Sequence, residues 1–460
     1  MTTTNTTTTH RAGRPALDGD FVLPGDAAFD EARTAWNLAV DQHPAAVALP
    51  ESAADVAAVV RFARDNGLRV APQGTGHSAA PMASLEGAIL LKTSRMRGVS
   101  IDAANRCARV DAGALWMEAT GPAHEHGLLA LGGSSPDVGV VGYSLGGGLS
   151  WLARKHGLAA NHVLAAEVVT ADGELRRVDA ENDADLFWAL RGGGGSFAAV
   201  TALEFRLFDT AEIYAGAMLW PAERAPEVMH AWREWTQVVP EDVTTSARIL
   251  QFPPLPDVPE PMRGRAFVVV DGAIDREPHQ ARGLVTPLRA LGPQIDTFAT
   301  IPAPALQRIH MDPEEPVPAC ADHTMLRALP VAALDALLEL ADPATGSPLL
   351  MVELRHLGGA VGRAPQDAGA LGSLDGDYAF LALGIPMDPD VTAAIEAHLA
   401  LTRAALAPYE SGSAYLNFAE RPLDTATLYD AGAYRRLREI KAAYDPGDLF
   451  RSNHPIAPAA

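Results

Sequence analysis

Three glycine-rich segments hold the residues whose types and spacing could do chemistry in this sequence. The first is PQGTGHS at residues 72–78, which follows a short apolar run that predicts a strand. Glycines after a strand allow backbone N–H groups to converge, and converging N–H groups form a nest that binds phosphate. A plain glycine turn with an exposed histidine is the alternative interpretation of this segment on its own.

The second segment, GSSPDVGVVGYSLGGG at residues 133–148, admits two interpretations. It contains G-Y-S-L-G, which fits the nucleophile elbow of a serine hydrolase with Ser144 as nucleophile. Its five glycines between 139 and 148 could equally cradle a phosphate. A hydrolase would need several strand–helix units after the elbow, whereas residues 163–178 predict a hairpin that turns at residues 171–173.

The third segment, RGGGGSF at residues 191–197, ends a predicted helix. Four glycines exceed what a helix cap needs, so they indicate close approach of the backbone to a ligand. None of the three segments contains G-x-G-x-x-G or G-K-S/T, so a standard Rossmann site and a P-loop are both unsupported. No metal site is expected, because His124 and His126 lack the spacing for one helix face and Cys320 with His323 lacks a second pair.

Composition excludes several classes of function. The 36 Lys and Arg against 57 Asp and Glu give a net charge of −21, which disfavours binding to nucleic acid. Hydrophobic residues make up 48% of the chain, as in a globular protein, and two cysteines exclude a disulfide scaffold. No apolar stretch of about 18 residues predicts a membrane span. The N-terminus does not resemble a secretory signal, so we expect a cytoplasmic protein.

The predicted elements change in character near residue 209. Before it, a helix over 52–67 capped by Ser52 and several short strands alternate with the glycine loops. After it, longer elements alternate, which favours an α+β fold over a regular parallel array. The predicted strands are 213–220, 245–251, 266–271, 349–355 and 377–384, the predicted helices are 224–237, 331–341 and 391–406, and SAYLNF at 413–418 predicts an aromatic strand before a final helix at 433–444.

Taken together and in order, the motifs resemble those of the berberine-bridge-enzyme-like flavin oxidases, in the vanillyl-alcohol-oxidase/p-cresol-methylhydroxylase superfamily. The matching pieces are PQGTGHS, the segment GSSPDVGVVGYSLGGGLSWLARKHGLAANHV, ADLFWALRGGGGSFAAVT and a C-terminal YLNF…IKAAYDPGDLF…NHPI. The resemblance implies an α+β, two-domain FAD-binding fold of the p-cresol-methylhydroxylase type. Its expected parts are a disordered Thr-rich tail (1–25), an FAD-binding domain (26–208), an antiparallel-sheet substrate domain (209–415) and a C-terminal segment returning to the FAD domain (416–460).

The resemblance also assigns positions to the cofactor. His77 matches the histidine bonded to the flavin 8α-methyl, and Ser144 falls in a flavin-binding loop rather than a nucleophile elbow. The other implied FAD contacts are Gly74, Thr75, Gly76 and Ser78 at the pyrophosphate, Gly139, Gly142, Gly146 and Gly147 along the flavin and ribityl chain, and Asn161, Val200, Asn417 and Asn453.

Two positions in the second segment refine this expectation. Many relatives carry a second covalent link through a cysteine where this chain has Ser135, and a hydroxyl lacks the nucleophilicity of a thiolate. We therefore expect a single covalent attachment, through His77. Val138 matches a position that borders the oxygen-reaction face, where a small valine is associated with oxidases and a leucine with dehydrogenases. We expect an oxidase that uses dioxygen.

The implied reaction passes a hydride from a small organic substrate to the flavin, after which dioxygen accepts the electrons and becomes H2O2. The substrate would be an alcohol, sugar, alkaloid or polyketide-like metabolite. Tyr415, in the family pattern Y-x-N, is the first candidate for the base, although a phenol with a pKa near 10 needs a nearby cation or donor. Glu353 is the second, but its alternation with Arg355 also fits a surface ion-pair ladder. A serine hydrolase and a flavin fold that only binds a ligand are the alternatives.

Overall fold

The computed structural model describes residues 13–82, 84–256 and 258–459. Its strands are β1 (Asp20–Val22), β2 (Ala46–Leu49), β3 (Arg69–Gln73), β4 (Ala88–Lys92), β5 (Val99–Asp102), β6 (Cys107–Asp111), β7 (Val163–Val169), β8 (Leu175–Asp179), β9 (Ala199–Arg206), β10 (Glu212–Pro221), β11 (Val243–Gln251), β12 (Ala266–Ile274), β13 (Ile295–Asp296), β14 (Ala299–Pro302), β15 (Cys320–Leu326), β16 (Met351–His356) and β17 (Tyr378–Gly384). Its helices are α1 (Phe29–Arg33), α2 (Ala53–Asp65), α3 (Trp116–His124), α4 (Val140–Leu145), α5 (Ala153–His156), α6 (Ala184–Leu190), α7 (Ala225–Thr236), α8 (Pro278–Leu284), α9 (Thr286–Arg289), α10 (Val331–Ala341), α11 (Pro389–Leu406) and α12 (Ala431–Tyr444).

The first sheet has the strand order β1-β2-β4-β3 and carries the PQGTGHS loop at the end of β3. Helix α2 packs on it and begins as predicted, because the Ser52 hydroxyl accepts a hydrogen bond from the Asp55 backbone. Residues 1–12 of the predicted disordered tail lie outside the described residues. For residues 20–22 the prediction is wrong: they form β1, because Phe21 packs edge-on against Phe62 and β1 pairs with β2.

The second sheet is antiparallel, with the order β5-β6-β9-β7-β8, and contains the predicted hairpin of β7 and β8. Helices α6 and α12 pack against each other beside it. The buried Lys441 of α12 donates hydrogen bonds to the Ser196 carbonyl (2.7 Å) and to the carboxylate of the equally buried Asp445 (2.6 Å). The C-terminal helix is thereby tied to the third glycine segment.

The third sheet has eight strands in the order β13-β10-β12-β11-β16-β17-β15, with β14 also pairing with β10. Helices α7, α10 and α11 cover one of its faces with the largest apolar cluster of the chain. The opposite face packs against residues that follow the second glycine segment, among them Leu149 and Trp151. The change from β9 to β10 takes the chain from the second sheet to the third. An α+β fold of parallel, antiparallel and helical layers results, and within the described residues no helix has the length and apolar character to cross a bilayer.

The later part of the chain differs from the sequence prediction at two places. Strand β15 was not predicted, although it forms an edge of the third sheet beside β17. The segment SAYLNF is not a strand: Tyr415 is extended and residues 416–418 form a single 3₁₀ turn. The physical reason is that this segment bonds through side chains rather than a ladder, since the Tyr415 N–H donates to the His323 ring (3.1 Å) and the Asn417 amide to the Tyr143 carbonyl (2.9 Å).

Candidate active site

The three glycine segments and the C-terminal segment converge at one place. The backbone N–H of Gly194 donates to the Leu145 carbonyl at 3.0 Å, which joins the second and third segments. The Asn453 amide donates to the Ser78 hydroxyl at 3.1 Å, which joins the C-terminal segment to the first. Each of these segments comes from a different part of the chain, so the motifs that the sequence analysis singled out form one site.

The glycines of this site border a cradle. A Cβ added to Gly74 or Gly142 would meet no protein atom within 4 Å, and one added to Gly139 would meet only the Thr75 methyl, at 3.9 Å. Gly76 and Gly147 have φ of +91° and +111°, which L side chains rarely adopt. A methyl at Gly147 would also lie 3.3 Å from the Tyr415 ring. Bare backbone therefore lines the cradle, as expected where N–H groups must approach a phosphate-bearing ligand.

His77 lies at the rim of this cradle. Its ring stacks on Trp36, with centroids 3.9 Å apart. Its Nε2 is buried 3.6 Å from an Asp137 carboxylate oxygen and has no hydrogen-bond partner in the part of the chain that the structure describes. Burial lowers the pKa of His77, and Asp137 opposes that shift only in part. The ring is therefore neutral at pH 7 and has one nitrogen with a free lone pair, as a nucleophile requires.

Ser135 and Val138 flank Asp137. The Ser135 hydroxyl donates to the Asp137 carboxylate at 2.9 Å, and the Trp36 indole N–H donates to the same carboxylate. Val138 is partly buried against the core of the second sheet, and its carbonyl accepts the Trp116 N–H at 3.0 Å. Ser135, at the position where many relatives have a cysteine, thus uses its hydroxyl to hydrogen-bond the Asp137 carboxylate.

Ser144 does not form a nucleophile elbow. It lies buried inside helix α4, and among the described residues no histidine side chain hydrogen-bonds its hydroxyl. The chain continues into the β7–β8 hairpin instead of the strand–helix units that a hydrolase needs. The hydrolase interpretation has no support in the geometry.

Tyr415 is fully buried against the glycine loop. Its phenol oxygen accepts a hydrogen bond from the Asn417 amide at 3.1 Å. Burial raises the pKa of Tyr415 well above its usual range, while Asn417, Arg355 and the backbone amides of Gly148 and Leu149 act in the opposite direction. The cation and the hydrogen-bond donors that a catalytic phenol needs are therefore present. The cation is Arg355, whose guanidinium carbon lies 5.1 Å from the centroid of the Phe418 ring.

Glu353 is also in this region, but not in a surface ladder, so that interpretation is wrong. Its side chain is fully buried on the face of the third sheet that lies away from α7, and it pairs with Arg355 at 2.7 Å. Burial raises its pKa, but Arg355 and His310 outweigh that effect and hold the pKa well below its usual range. Glu353 is a permanent carboxylate, so it is a weaker base candidate than its position alone indicates.

The charged partners of Glu353 and Arg355 were not predicted from the sequence. His310 lies 2.8 Å from Asp271 and 3.5 Å from Glu353, and Asp271 also pairs with the buried Arg248 at 3.0 Å. Burial and Arg248 lower the pKa of His310, but the surrounding carboxylates raise it to about 9 overall. The only sequence signal was a single charged residue in each of two apolar strands, at 248 and 271.

Register places this charged group beside an apolar row on the same sheet face. Arg248, Glu353 and Leu381 are cross-strand neighbours on β11, β16 and β17. The adjacent row is Leu250, Met351, Leu383 and Ala321. Leu381 and Leu383 remain partly exposed, so an apolar surface lies next to the ion pairs.

Two predicted cofactor residues are placed differently from the rest. The Asn161 amide donates to the Gly372 carbonyl at 2.8 Å, which ties the segment before β7 to a loop of the substrate side. Val200 is 5% exposed and its side chain packs in the core of the second sheet. Its side chain is thus a core residue and not part of the cradle surface.

Two family models match separate parts of the chain. The model described as "FAD binding domain" matches residues 44–179, and the one described as "Berberine and berberine like" matches residues 414–457. They cover the glycine cradle and the Tyr415 segment. The chain carries the FAD-binding domain and the C-terminal segment of the berberine-bridge-enzyme-like FAD-linked oxidoreductases. FAD is its cofactor, and the bare backbone of the cradle and the neutral His77 ring at its rim fit that molecule.

Relatives of this FAD-linked oxidoreductase are named as oxidases. (R)-6-hydroxynicotine oxidase of Paenarthrobacter nicotinovorans is 27% identical over 96% of this chain and 97% of its own. Glucooligosaccharide oxidase of Sarocladium strictum is 37% identical over 48% of this chain and 46% of its own. The crystal structure of 6-hydroxy-D-nicotine oxidase from Arthrobacter nicotinovorans matches with a TM-score of 0.81 and 26% identity, covering 96% of this chain and 99% of that one.

The fold of the FAD-linked oxidoreductase is confirmed as the two-domain p-cresol-methylhydroxylase type. A Physcomitrella patens BBE-like 1 variant matches with a TM-score of 0.83 at 20% identity, covering 96% of this chain and 98% of that chain. The match spans both the glycine cradle and the eight-stranded sheet. The architecture that the motifs implied is therefore the one the chain adopts.

Proposed function

We propose that this chain is an oxidase that holds FAD through one covalent bond to His77 and oxidises a small organic substrate, with dioxygen as electron acceptor and hydrogen peroxide as product. Bound FAD would supply a two-electron acceptor. The observation that carries the proposal is the placement of Tyr415, whose ring packs on the Gly147 backbone of the cradle while its oxygen contacts Asn417. The chain thus holds a proton-accepting group against the cofactor loop.

A single attachment follows from the chemistry of the two candidate positions. His77 is neutral and its Nε2 faces Asp137, so the other ring nitrogen, Nδ1, is available for a bond. Ser135 has a hydroxyl that is engaged by Asp137 and lacks thiolate reactivity. One structural relative, the glucooligosaccharide oxidase of Acremonium strictum, carries a 6-S-cysteinyl, 8α-N1-histidyl FAD. Of these two positions in this chain, His77 alone offers a nucleophile for the flavin.

Tyr415 is proposed as the group that takes the proton from the substrate hydroxyl or amine. Its oxygen already receives the Asn417 hydrogen bond, and Arg355 places a positive charge behind Phe418. Both stabilise a phenolate relative to a phenol. Glu353 is proposed to hold Arg355 in place through their 2.7 Å ion pair, rather than to accept the proton itself.

The substrate surface favours a compact molecule with an apolar side. Leu381 and Leu383 leave an apolar strip on the sheet face, beside the ion pair of Glu353 and Arg355. A long oligosaccharide would need a run of polar side chains there, and the row of Leu250, Met351, Leu383 and Ala321 has none. Of the substrates in the relatives' names, the nicotine type fits this face better than the oligosaccharides do.

Two observations support an oxidase: the small side chain of Val138 in the second glycine segment, and the names of the relatives, which are oxidases. The experiment is a screen for peroxide release with primary alcohols, cyclic amines and oligosaccharides, run in parallel on the protein and on Tyr415→Phe. We expect peroxide from one class, and a loss on the order of 10²-fold or more in Tyr415→Phe. Flavin that no substrate bleaches anaerobically would instead support a fold that only binds ligand.

A further inference from the structure

Asp137 is the hub of a small cluster at the rim of the cradle. Its carboxylate is 6% exposed and accepts hydrogen bonds from the Ser135 hydroxyl and the Trp36 indole. The same carboxylate lies 3.6 Å from Nε2 of His77. Two fixed donors thus hold one acid against one histidine.

The arrangement distinguishes the two nitrogens of His77. Nε2 is buried, has no hydrogen-bond partner among the described residues, and has Asp137 as its near neighbour. Trp36 stacks on the ring at an angle of 22° and fixes its plane. A neutral imidazole holds its proton on one nitrogen only, and a carboxylate beside Nε2 favours the proton there. The lone pair then belongs to Nδ1.

We propose that Asp137 is a positioning residue for the covalent attachment of FAD, which holds the Nε2–H tautomer of His77 and so presents Nδ1 as the nucleophile. This inference rests on the proposed attachment at His77. The 3.6 Å separation shortens to a hydrogen bond as positive charge develops on the ring, as such contacts tighten during reaction. Ser135 then has a role of its own, because the position that could carry a second link supports the acid instead.

The attachment conserves atoms and electrons. A bond forms between Nδ1 of His77 and the 8α carbon of the flavin. A C–H bond at that carbon breaks and releases its proton to solvent, and the ring loses its Nε2 proton through Asp137 to solvent. The two electrons left behind pass to dioxygen, which takes up two protons and leaves as hydrogen peroxide. Dioxygen is the oxidant of the proposed function, so no further reactant is required. Without Asp137 the proton samples both nitrogens and the imidazolium charge has no counter-ion.

The test compares full-length Asp137→Ala and Asp137→Asn with the unmodified protein. Each is incubated with FAD, precipitated with acid at intervals, and assayed for flavin in the pellet and in the supernatant. We expect both variants to bind FAD with one flavin per chain, and to form the covalent bond on the order of 10²-fold more slowly. If Asp137→Ala does not bind FAD, the near-isosteric Asp137→Asn decides the matter.

The matched control is Asp312→Asn, which removes another carboxylate whose charge acts on His77 but which has its own partner in Ser134. Its covalent fraction should grow at the unmodified rate. Covalent bonding in Asp137→Ala and Asp137→Asn as fast as in the unmodified protein would overturn the role of Asp137. An unmodified protein with no acid-stable flavin, or an acid-stable flavin in His77→Ala, would instead overturn the attachment site itself.

Discussion

The side-chain amide of Asn417 lies 3.1 Å from the phenol oxygen of Tyr415 and 2.9 Å from the backbone carbonyl of Tyr143. One amide therefore joins the C-terminal segment to the second glycine segment and orients the phenol at the same time. The 3₁₀ turn at residues 416–418 makes this possible, because it folds the chain so that the Asn417 side chain lies beside the phenol of Tyr415. The Y-x-N spacing has a geometric reason in this chain.

Asn417→Ala should lower the rate of flavin reduction and shift its pH profile to higher pH. The amide donates to the phenol oxygen and so lowers the pKa of Tyr415, and its removal raises that pKa further. We expect a loss of about tenfold at pH 7, with partial recovery at high pH, since a neutral hydrogen bond contributes about 1 kcal/mol and its buried partner is left unsatisfied. Anaerobic stopped-flow reduction across pH measures this, and an unchanged profile would remove Asn417 from the proton chemistry.

Gly146→Ala should disturb the same pair. An added Cβ would clash with the Asn417 side-chain oxygen and lie 2.9 Å from a Leu416 methyl, so the turn must move. We expect a loss of about 1–3 kcal/mol in the free energy of unfolding, together with reduced activity. Gly283→Ala in helix α8 is the control, because a methyl there meets no neighbouring atom within 4 Å and alanine favours the helix. Equal destabilisation by both changes would contradict the contact.

The buried His310 should make stability depend on pH in the alkaline range. Its pKa is raised to about 9 in the folded protein against 6.5 in the unfolded chain. A raised pKa contributes stability that is complete below pH 6.5 and is lost as the pH rises through about 9. Melting temperatures of the unmodified protein should fall over this window, whereas His310→Gln should be less stable at about pH 6.5 and lack that fall. His43→Gln, at the surface beside Asp41, should retain it, and identical curves for all three would contradict the role of His310.

Short-range signals made the cradle predictable. Ser52 as a helix cap and the turn at residues 171–173 depend on a few neighbouring residues, and both are present. The glycine segments are recognisable because few other sequences need bare backbone at such density. Resemblance supplied the fold and His77 as the attachment candidate, and in the structure the glycine segments lie together at one site.

Contacts between residues far apart in the sequence could not be predicted. Arg248, Asp271 and His310 stand as isolated charges in the sequence, because their partners lie in different elements. Asp271 and His310, for example, are 39 residues apart along the chain. The strand predicted for SAYLNF follows local propensity, since tyrosine and phenylalanine favour strands. Asn417 and the Tyr415 N–H find side-chain and loop partners instead, and those partners cannot be deduced from the segment itself.

Acid precipitation of the unmodified protein and of His77→Ala shows whether the flavin is bonded to the chain and where. We predict a yellow pellet from the unmodified protein and a colourless pellet from His77→Ala, with all of its flavin in the supernatant. This follows from the proposal that His77 is the single anchor, since the Ser135 hydroxyl donates to Asp137 and lacks thiolate reactivity. Flavin that stays in the pellet of His77→Ala, or that leaves the unmodified protein entirely, would contradict a single histidyl attachment.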